Sequence, residues 1–467
     1  MDGMGKCFMS LKSVSIKIPE GAKRVLETLH GAGYEAYVVG GCVRDSILGR
    51  EPQDWDITTS AKPEQVKALF RRTIDTGIQH GTVTVMVDHE GYEVTTYRID
   101  GVYEDGRHPS EVVFTPSLEE DLKRRDFTIN AMAYNEDDGL VDLFGGLEDM
   151  DRKMIRCVGE ATERFGEDAL RILRAVRFSA QLGYEIEGET REAIVRLAGN
   201  LRKISAERIQ VELVKLLISK HPDRLRMLYE TGITKVILPE FDLCMETPQK
   251  HVHHCYNVGE HIIVAVEAAL PQKNLRLTML FHDIGKPKTL EVAEDGTTHF
   301  YGHPETGAKI AEEVLRRLKF DNDTISTVCT LVRYHDLFTG EKPQAKTVRK
   351  ALCKIGEENF ALLFEVCRAD ILAQSMYMRQ EKLDLLDGWQ TIFQEVIAKK
   401  QCFSMKDLAI GGKDLIAMGI SPGKEMGKIL QLLLEEVIED PERNTKEYLM
   451  KEAAELSKST APQECPL

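Results

Sequence analysis

The sequence predicts an α+β chain: a mixed α/β head followed by a long all-helical remainder. Three observations carry this. GTVTVMVDHEGYEVTTYRID (81–100) alternates apolar and polar residues like a β-hairpin turning at DHEG. Beyond residue 160, apolar positions recur at i, i+3, i+4 and i+7, the spacing of one helix face. At 467 residues the chain also exceeds one ordinary core, and its length suggests about three domains.

The elements follow in order. YEAYVVGG (34–41) is a strand running into a glycine turn, and the hairpin comes next. Residues 160–245 read as helical; ALRILRAVRFSAQLG is amphipathic, and Gly183 is its expected C-terminal stop. Residues 246–375 are helical and dense in histidine. The remainder is helical, broken by GISPG at 419–423, and ends in a polar tail containing TAPQECP that is expected to be loose. No internal repeat is present. The division expected is a head (1–145), a neck (146–245), a body (246–375) and a tail (376–467).

Composition excludes several classes. Hydrophobic residues at 42% and charged residues at 29% are ordinary for globular proteins and rule out wholesale disorder. No stretch approaches the roughly 20 apolar residues of a membrane helix. The opening MDGMGKCFMSLKS lacks a signal-peptide apolar core. The ten cysteines are scattered and never form CxxC, as expected of reduced cytosolic thiols. The expectation is a cytoplasmic protein with no membrane partner. A net charge of −15 disfavours holding nucleic acid by bulk charge but leaves room for a local basic face.

The densest chemistry lies in GGCVRDSILGREPQDWDI (40–57). Asp54 and Asp56 are two apart, so on a strand they share a face. Paired carboxylates repel unless a cation sits between them, and hard oxygen ligands suit Mg²⁺. The bland alternative is a polar loop with two exposed acids. Here the pair follows the Gly40–Gly41 turn, which exposes backbone N–H groups, and Arg44, whose fork of donors suits phosphate. Nucleotidyl transfer unites these parts, with metal ions activating the attacking hydroxyl and clamping the triphosphate. Glu93, on the second hairpin arm, is the candidate third acid. Arg124, Arg125 and Asp126 precede an apolar helix start; they read either as a cap with solvated arginines or as phosphate and ribose contacts.

The ordered series GGCVRD, DWDI, EVTTYRID, RRDFTINAMA, VDLFGG, EDALRILRAVRF and SAERI covers about the first 215 residues. It resembles the class II tRNA nucleotidyltransferase and bacterial poly(A) polymerase family. The resemblance implies a polymerase-type palm of five strands, then helical neck, body and tail. It implies Mg²⁺ on Asp54 and Asp56, triphosphate contacts from Gly40, Gly41, Arg44 and Asp45, and nucleotide contacts from Arg124, Arg125 and Asp126.

In EDALRILR, Asp168 and Arg171 are three apart, and spacing alone favours an intrahelical salt bridge. The resemblance implies instead that this pair reads the Watson–Crick edge of the incoming base. C and A both carry an exocyclic amine where U and G do not, so one pair suits CTP and ATP in turn. Arg174 and Arg177 continue the basic stripe towards the triphosphate, and Glu207 and Arg208 are expected to pin the neck helices together. Members of the family that add only CC lack a flexible loop between the hairpin and the RRD motif; the segment 98–114 keeps one, with Arg98, Asp100, Tyr103, Asp105, Arg107 and Pro109, so the resemblance argues against CC-only addition. Residues 431–467 hold nine acids against four basic residues, unlike the basic arm of related poly(A) polymerases.

The body carries His261, His282–Asp283, His303, His335 and Asp370 in order. This array resembles the HD superfamily of metal-dependent phosphohydrolases. It implies a second divalent metal (Mn, Ni, Co or Fe), either working or as a retained, inactive site. His251, His253 and His254 are expected at the surface or behind the ligands. KPQAKTVRKALCK (342–354) has five basic residues and no acid, reading equally as an RNA path or a solvated helix face. The function expected is CCA addition to tRNA 3′ ends from CTP and ATP, by a monomer or homodimer, with an added HD phosphohydrolase activity. The alternatives are A-addition alone, an RNA-end hydrolase whose head only binds nucleotide, or a non-catalytic RNA-binding module.

Overall fold

The structure, a computed structural model, describes residues 14–100, 112–340 and 342–460. It divides into two compact units, Met1–Asp242 and Leu243–Leu467. The loop residues Tyr103, Asp105, Arg107 and Pro109 lie outside the described residues.

The first unit is built on strands β1 (Ala36–Val39), β2 (Ile57–Thr59), β3 (Thr73–Gly77), β4 (Thr82–Val87) and β5 (Glu90–Thr96). β6 (Arg98–Asp100) and β7 (Val112–Phe114) pair separately, and β8 (Met132–Asn135) and β9 (Gly139–Asp142) complete the set. The main sheet has seven strands in the order β3-β4-β5-β2-β1-β8-β9, two more than the five expected. The extra strands are at the edges, where β3 pairs with β4 and β9 hairpins back on β8. Within this sheet only the β2–β5 pair is parallel. The β4–β5 turn is two residues, Asp88 and His89, with φ of 47° and 72°, the left-handed pair that matches strand twist in a tight hairpin. All four residues of β1 are buried. The helix Glu20–Gly31 covers it with Ala22, Val25, Leu26 and Leu29, a one-face spacing. Each such larger side chain contributes roughly 1.5–3 kcal/mol on burial.

The helix Leu170–Leu182 packs against Ala206–Leu217. It ends, as its sequence predicts, at Gly183, whose φ is 73°. A Cβ there would also lie 2.7 Å from His221 Nε2, so glycine is required twice over.

In the second unit, the helices Val258–Ala268, Lys273–Phe281, Asn322–Tyr334 and Glu357–Ala373 pack on one another, and His303–Arg317 lies against Asn322–Tyr334. A separate apolar cluster from Cys402 to Ala453 is centred on the helix Lys424–Glu439. No helix among the described residues is long and apolar enough to cross a membrane.

Candidate active site and a candidate metal centre

β1 ends at Gly40, where φ is 81°, and the chain turns at once into the helix Gly41–Ile47. A Cβ on Gly40 would come within 3.0 Å of Arg125 Nη1, so the bare backbone lets this guanidinium lie over the turn. Arg44 is buried and donates to both Asp45 oxygens (3.0 and 2.9 Å) and to Asn130 Oδ1 (2.6 Å). Its fork is therefore committed inside the protein, and Asp45 is its counter-charge.

Asp54 and Asp56 do not lie on a strand. They are exposed and immediately precede β2, which begins at Ile57. The Val39 N–H donates to the Asp56 carbonyl (2.9 Å), tying this lead-in to the end of β1. Ile57 registers with Val94 in the parallel β2–β5 pair, and one residue back along both strands come Asp56 and Glu93. Although Asp56 is exposed as a residue, its carboxyl is raised, first because the protein around it displaces part of its water and also by the Glu93 and Asp54 carboxylates; Arg125 opposes this. Three acids crowding beside one guanidinium form a place where a hard cation relieves repulsion, so these residues fit Mg²⁺. Their donor atoms form no three-ligand group within 4.8 Å; among the described residues such groups occur in the second unit.

Arg124 and Arg125 share an anchor that the motif reading missed. Asp121 is fully buried, accepts from Arg124 Nε and Nη2 (2.9 and 2.8 Å) and from Thr58 Oγ1 (3.0 Å), and lies 3.6 Å from Arg125. Burial alone would raise its carboxyl, but the two arginines hold it below the usual range. Its positions three and four residues before the arginines were the available signal.

Asp126 does not point to open space. One oxygen accepts from Arg174 Nε and Nη2 (2.8 and 2.6 Å), the other from Asn130 Nδ2 and its neighbour's N–H. Burial opposes ionisation there, yet Arg174 and Asn130 keep the carboxyl well below its ordinary value. Arg174 also lies 3.9 Å from Glu212, and Arg177 donates to Glu212 at 2.6 Å. Arg177 sits 3.6 Å over the Phe178 ring. Both arginines are thus engaged by acids from other segments, where the sequence suggested a stripe reaching for triphosphate. Glu212, at a spacing of four from Arg208, was not singled out.

Asp168 and Arg171 do not pair through their side chains. Asp168 stands before the helix, which starts at Leu170, with φ −133° and ψ 105°, so the two share no helix face. Its carboxylate accepts from the Leu170 N–H (2.9 Å) and from Arg208 (2.7 and 3.4 Å). Arg171 pairs instead with Glu167 (2.5 Å) and donates to the carbonyls of Arg124 (2.9 Å) and Arg164 (3.3 Å). Three donors occupy Asp168, and a carboxylate accepts about four, leaving room for one exocyclic amine.

In the body, four imidazoles converge. Each Nδ1 faces a backbone carbonyl: His261 that of Ala373 (3.4 Å), His282 that of Met279 (2.8 Å), His303 that of Phe300 (2.8 Å) and His335 that of Val332 (2.7 Å). The four Nε2 atoms turn inwards, with His261 3.1 Å from His282 and His303 3.2 Å from His335. Asp283 stands between the pairs, Oδ2 3.3 Å from His261 and Oδ1 3.3 Å from His303. Asp370 closes the first pair at 2.9 Å from His261. Two donor groups result, His261–His282–Asp283 and Asp283–His303–His335. Backbone carbonyls fixing Nδ1–H while Nε2 points to a common centre is how proteins orient metal-binding imidazoles. Burial opposes the charged forms of Asp283 and Asp370, yet Lys286 and His282 hold the first, and His261 and His282 the second, well below the usual range. Burial likewise works against protonated His335, but Asp336 and Asp283 push it up to about 9. Lys286, 2.7 Å from Asp283, and Asp336, 3.4 Å from both His303 and His335, were missed; Asp336 was legible as the residue after His335. His254 meets the His261 ring edge-on and is pushed down to about 3, chiefly by burial.

The CCA-adding enzyme of Levilactobacillus brevis is 39% identical over 434 residues, covering 92% of this chain and 96% of the relative. The chain belongs to the CCA-adding enzyme family. The enzyme of Lactiplantibacillus plantarum is 36% identical over 433 residues, covering 92% and 95%. The solved CCA-adding enzyme of Bacillus stearothermophilus in complex with CTP is 30% identical, with a TM-score of 0.68 over 94% of this chain and 98% of that one. Within this chain, residues 36–156 match the Poly A polymerase head domain. Residues 183–245 match the probable RNA and SrmB-binding site of polymerase A, and 297–453 match tRNA nucleotidyltransferase domain 2 (putative). The first match takes in the glycine turn, Asp54, Asp56, Glu93 and the Arg124–Asp126 segment.

The basic segment 342–354 offers less to RNA than its sequence suggests. Arg349 is buried and donates to the Ile438 carbonyl (2.9 Å), while Lys346 and Lys350 pair with Glu439.

Proposed function

We propose that this chain adds CCA to tRNA 3′ ends from CTP and ATP without a template, in the cytoplasm. The observation that carries it is the crowding of Asp54, Asp56 and Glu93 beside the Gly40 turn and Arg125, in a chain whose relatives are CCA-adding enzymes. Asp54 and Asp56 would hold Mg²⁺, with Glu93 behind them, and the bound ion would supply charge screening for the triphosphate and a lowered pKa for the attacking hydroxyl. Arg125, lying over the turn, meets the phosphates. Arg44 and Asp45 shape the turn, and Arg124 and Asp126 are held by Asp121 and Arg174. Arg174 and Arg177 brace the neck. Asp168 accepts from the exocyclic amine, and Arg171 donates to the neighbouring ring position.

Three tRNA transcripts, ending before CCA, after C and after CC, given separately labelled CTP or ATP, test this. The first two are expected to take C and the third A. ATP incorporation restricted to the third, with no CTP incorporation anywhere, favours A-addition alone. Arg171→Ala is expected to cost roughly 1–3 kcal/mol of discrimination against UTP and GTP while some transfer persists. Misincorporation rates measured on the same transcripts check it.

A second activity rests on the convergent imidazoles. We infer that the body hydrolyses phosphate esters with a divalent metal that His261, His282, Asp283, His303, His335 and Asp370 would hold. Mn²⁺, Ni²⁺, Co²⁺ or Fe²⁺ suit such nitrogen and oxygen ligands. Asp283→Ala is expected to lower bound metal, measured by elemental analysis after dialysis, and to abolish metal-dependent phosphate release. It should leave CTP incorporation within about twofold, because sites without shared partners behave independently.

A further inference from the structure

One aromatic ring stands between the residues that would read the base and the turn that would hold the phosphates. Phe178 lies on the helix Leu170–Leu182 and is 5% exposed. The guanidinium carbons of Arg177, Arg44 and Arg174 lie 3.6, 5.1 and 5.3 Å from its centroid. All three fall within the reach of about 6 Å over which a ring attracts a cation. Phe127 meets the ring edge-on at 5.8 Å and 80°. Arg174 and Arg177 belong to the same helix as the ring, but Arg44 comes from the helix that opens at the glycine turn. The Arg44 N–H donates to the Gly40 carbonyl (3.1 Å), and a Cβ on Gly41 would lie 3.8 Å from Arg44 Nη2. A shift of Arg44 therefore shifts the turn. A second tie between turn and helix runs by hydrogen bonds from Arg44 through Asn130 and Asp126 to Arg174, and at the surface Arg50 donates to the Gln181 carbonyl at 3.4 Å. The acids Asp45, Asp126 and Glu212 each serve one or two of the three arginines, whereas the ring is common to all of them.

Resting on the reading of head and neck as one nucleotide site, we propose that Phe178 is a positioning residue that couples base recognition to triphosphate binding. It touches neither group and acts through Arg44. Phe178 stands seven residues after Arg171, about two turns along one helix, so a base seated at Arg171 and Asp168 steadies the ring. The ring's π-electrons attract the Arg44 guanidinium and hold it in place, and Arg44 holds the Gly40–Gly41 turn ready for phosphate. A fitting base thereby tightens phosphate binding, and phosphate tightens base binding by the same factor, as linkage requires. A base that does not seat gains nothing from the tie. The ring makes no contact with the base itself, so one device serves CTP and ATP alike.

The test uses the full chain with Mg²⁺ and splits the nucleotide into two probes, cytidine and inorganic tripolyphosphate. By calorimetry, saturating cytidine is expected to tighten tripolyphosphate binding about fivefold in the unmodified chain. Phe178→Leu should reduce this factor to below about twofold, with each probe alone binding nearly as before. Replacing Phe178 by 3,4,5-trifluorophenylalanine keeps the ring's shape, and the hydrogen-bonded tie through Asn130, while withdrawing its π-electrons; it should act like Phe178→Leu, and it decides the matter if the leucine chain does not fold. On a tRNA transcript ending before CCA, both replacements should raise KM for CTP about fivefold with kcat little changed, and CTP should lose about that factor of its preference over UTP. Cytidine that leaves tripolyphosphate binding unchanged in the unmodified chain overturns the coupling. A factor that survives trifluorination intact shows the ring to be a space-filler and overturns its role, as does loss of each probe's own binding in both replaced chains. Failure of the unmodified chain to incorporate CTP or ATP, with the two probes still coupled, overturns the transferase reading and leaves this inference standing.

Discussion

Asp54→Ala is expected to remove incorporation of CTP and ATP together, by about a thousandfold or more, while the chain stays folded. The effect is large because Asp54 is a metal ligand in the proposed reaction and no nearby group replaces it. Glu93 already faces the same site. Arg125 is the positive group that offsets Asp56, and it cannot bind a cation. Folding should be spared because Asp54 is exposed and lies in no strand. Removing one of three mutually repelling acids even relieves the apo protein slightly. The Asp56 carboxyl is raised in the folded chain, so the crowding costs stability as pH rises through its folded pKa. Incorporation on the three transcripts, alongside a thermal melt, checks both halves. Normal incorporation by Asp54→Ala would show that the metal assignment is wrong.

Asp126→Ala is expected to destabilise the first unit by about 1–3 kcal/mol, the usual cost of leaving buried donors unsatisfied, because Arg174 is itself one-third exposed and water screens part of its charge. Asp126 is 8% exposed, and four donors from Arg174, Asn130 and the next N–H end on it. Without it, the nearest acid to Arg174 among the described residues is Glu212 at 3.9 Å, which is already committed to Arg177, and the Phe178 ring at 5.3 Å is a weaker partner. The sign with pH is definite. The folded carboxyl lies below its unfolded value, so its contribution is present in full above about pH 3.9 and is lost as pH falls through the folded pKa. Asp126→Asn should therefore flatten the acid limb of the stability curve below that pH. Urea midpoints across the acid range, for both chains, read this directly.

Much of the head and neck was legible. The hairpin announced itself by alternation and by DHEG, and the helix after Ala169 by its periodicity and Gly183. Motif order pointed to the glycine turn, the paired aspartates and Glu93. Spacing misled where it assumed that an element extended further than it does. Asp54 and Asp56 were read as strand residues, yet the strand begins one residue later. Asp168 was read as sharing a helix face with Arg171, yet the helix begins two residues later, and Asp168 turns to Arg208. In the body, the histidine series was plain and Asp336 stood next to His335, but Lys286 became visible only through its distance to Asp283.

By itself the sequence determined the α+β class, a strand-bearing head followed by helices, and which acids, arginines and histidines are available for chemistry. Periodicity and turn residues act over a few positions, so they are readable along the chain. Only the tertiary structure decided partnership. It assigned Arg44 to Asp45 and Asn130, Arg124 to Asp121, Arg174 to Asp126, and Arg177 to Glu212, and it brought four imidazoles onto Asp283 and Asp370. A buried charge takes whichever counter-charge the packing brings within about 3 Å, and that group sits as often on a distant segment as on its own.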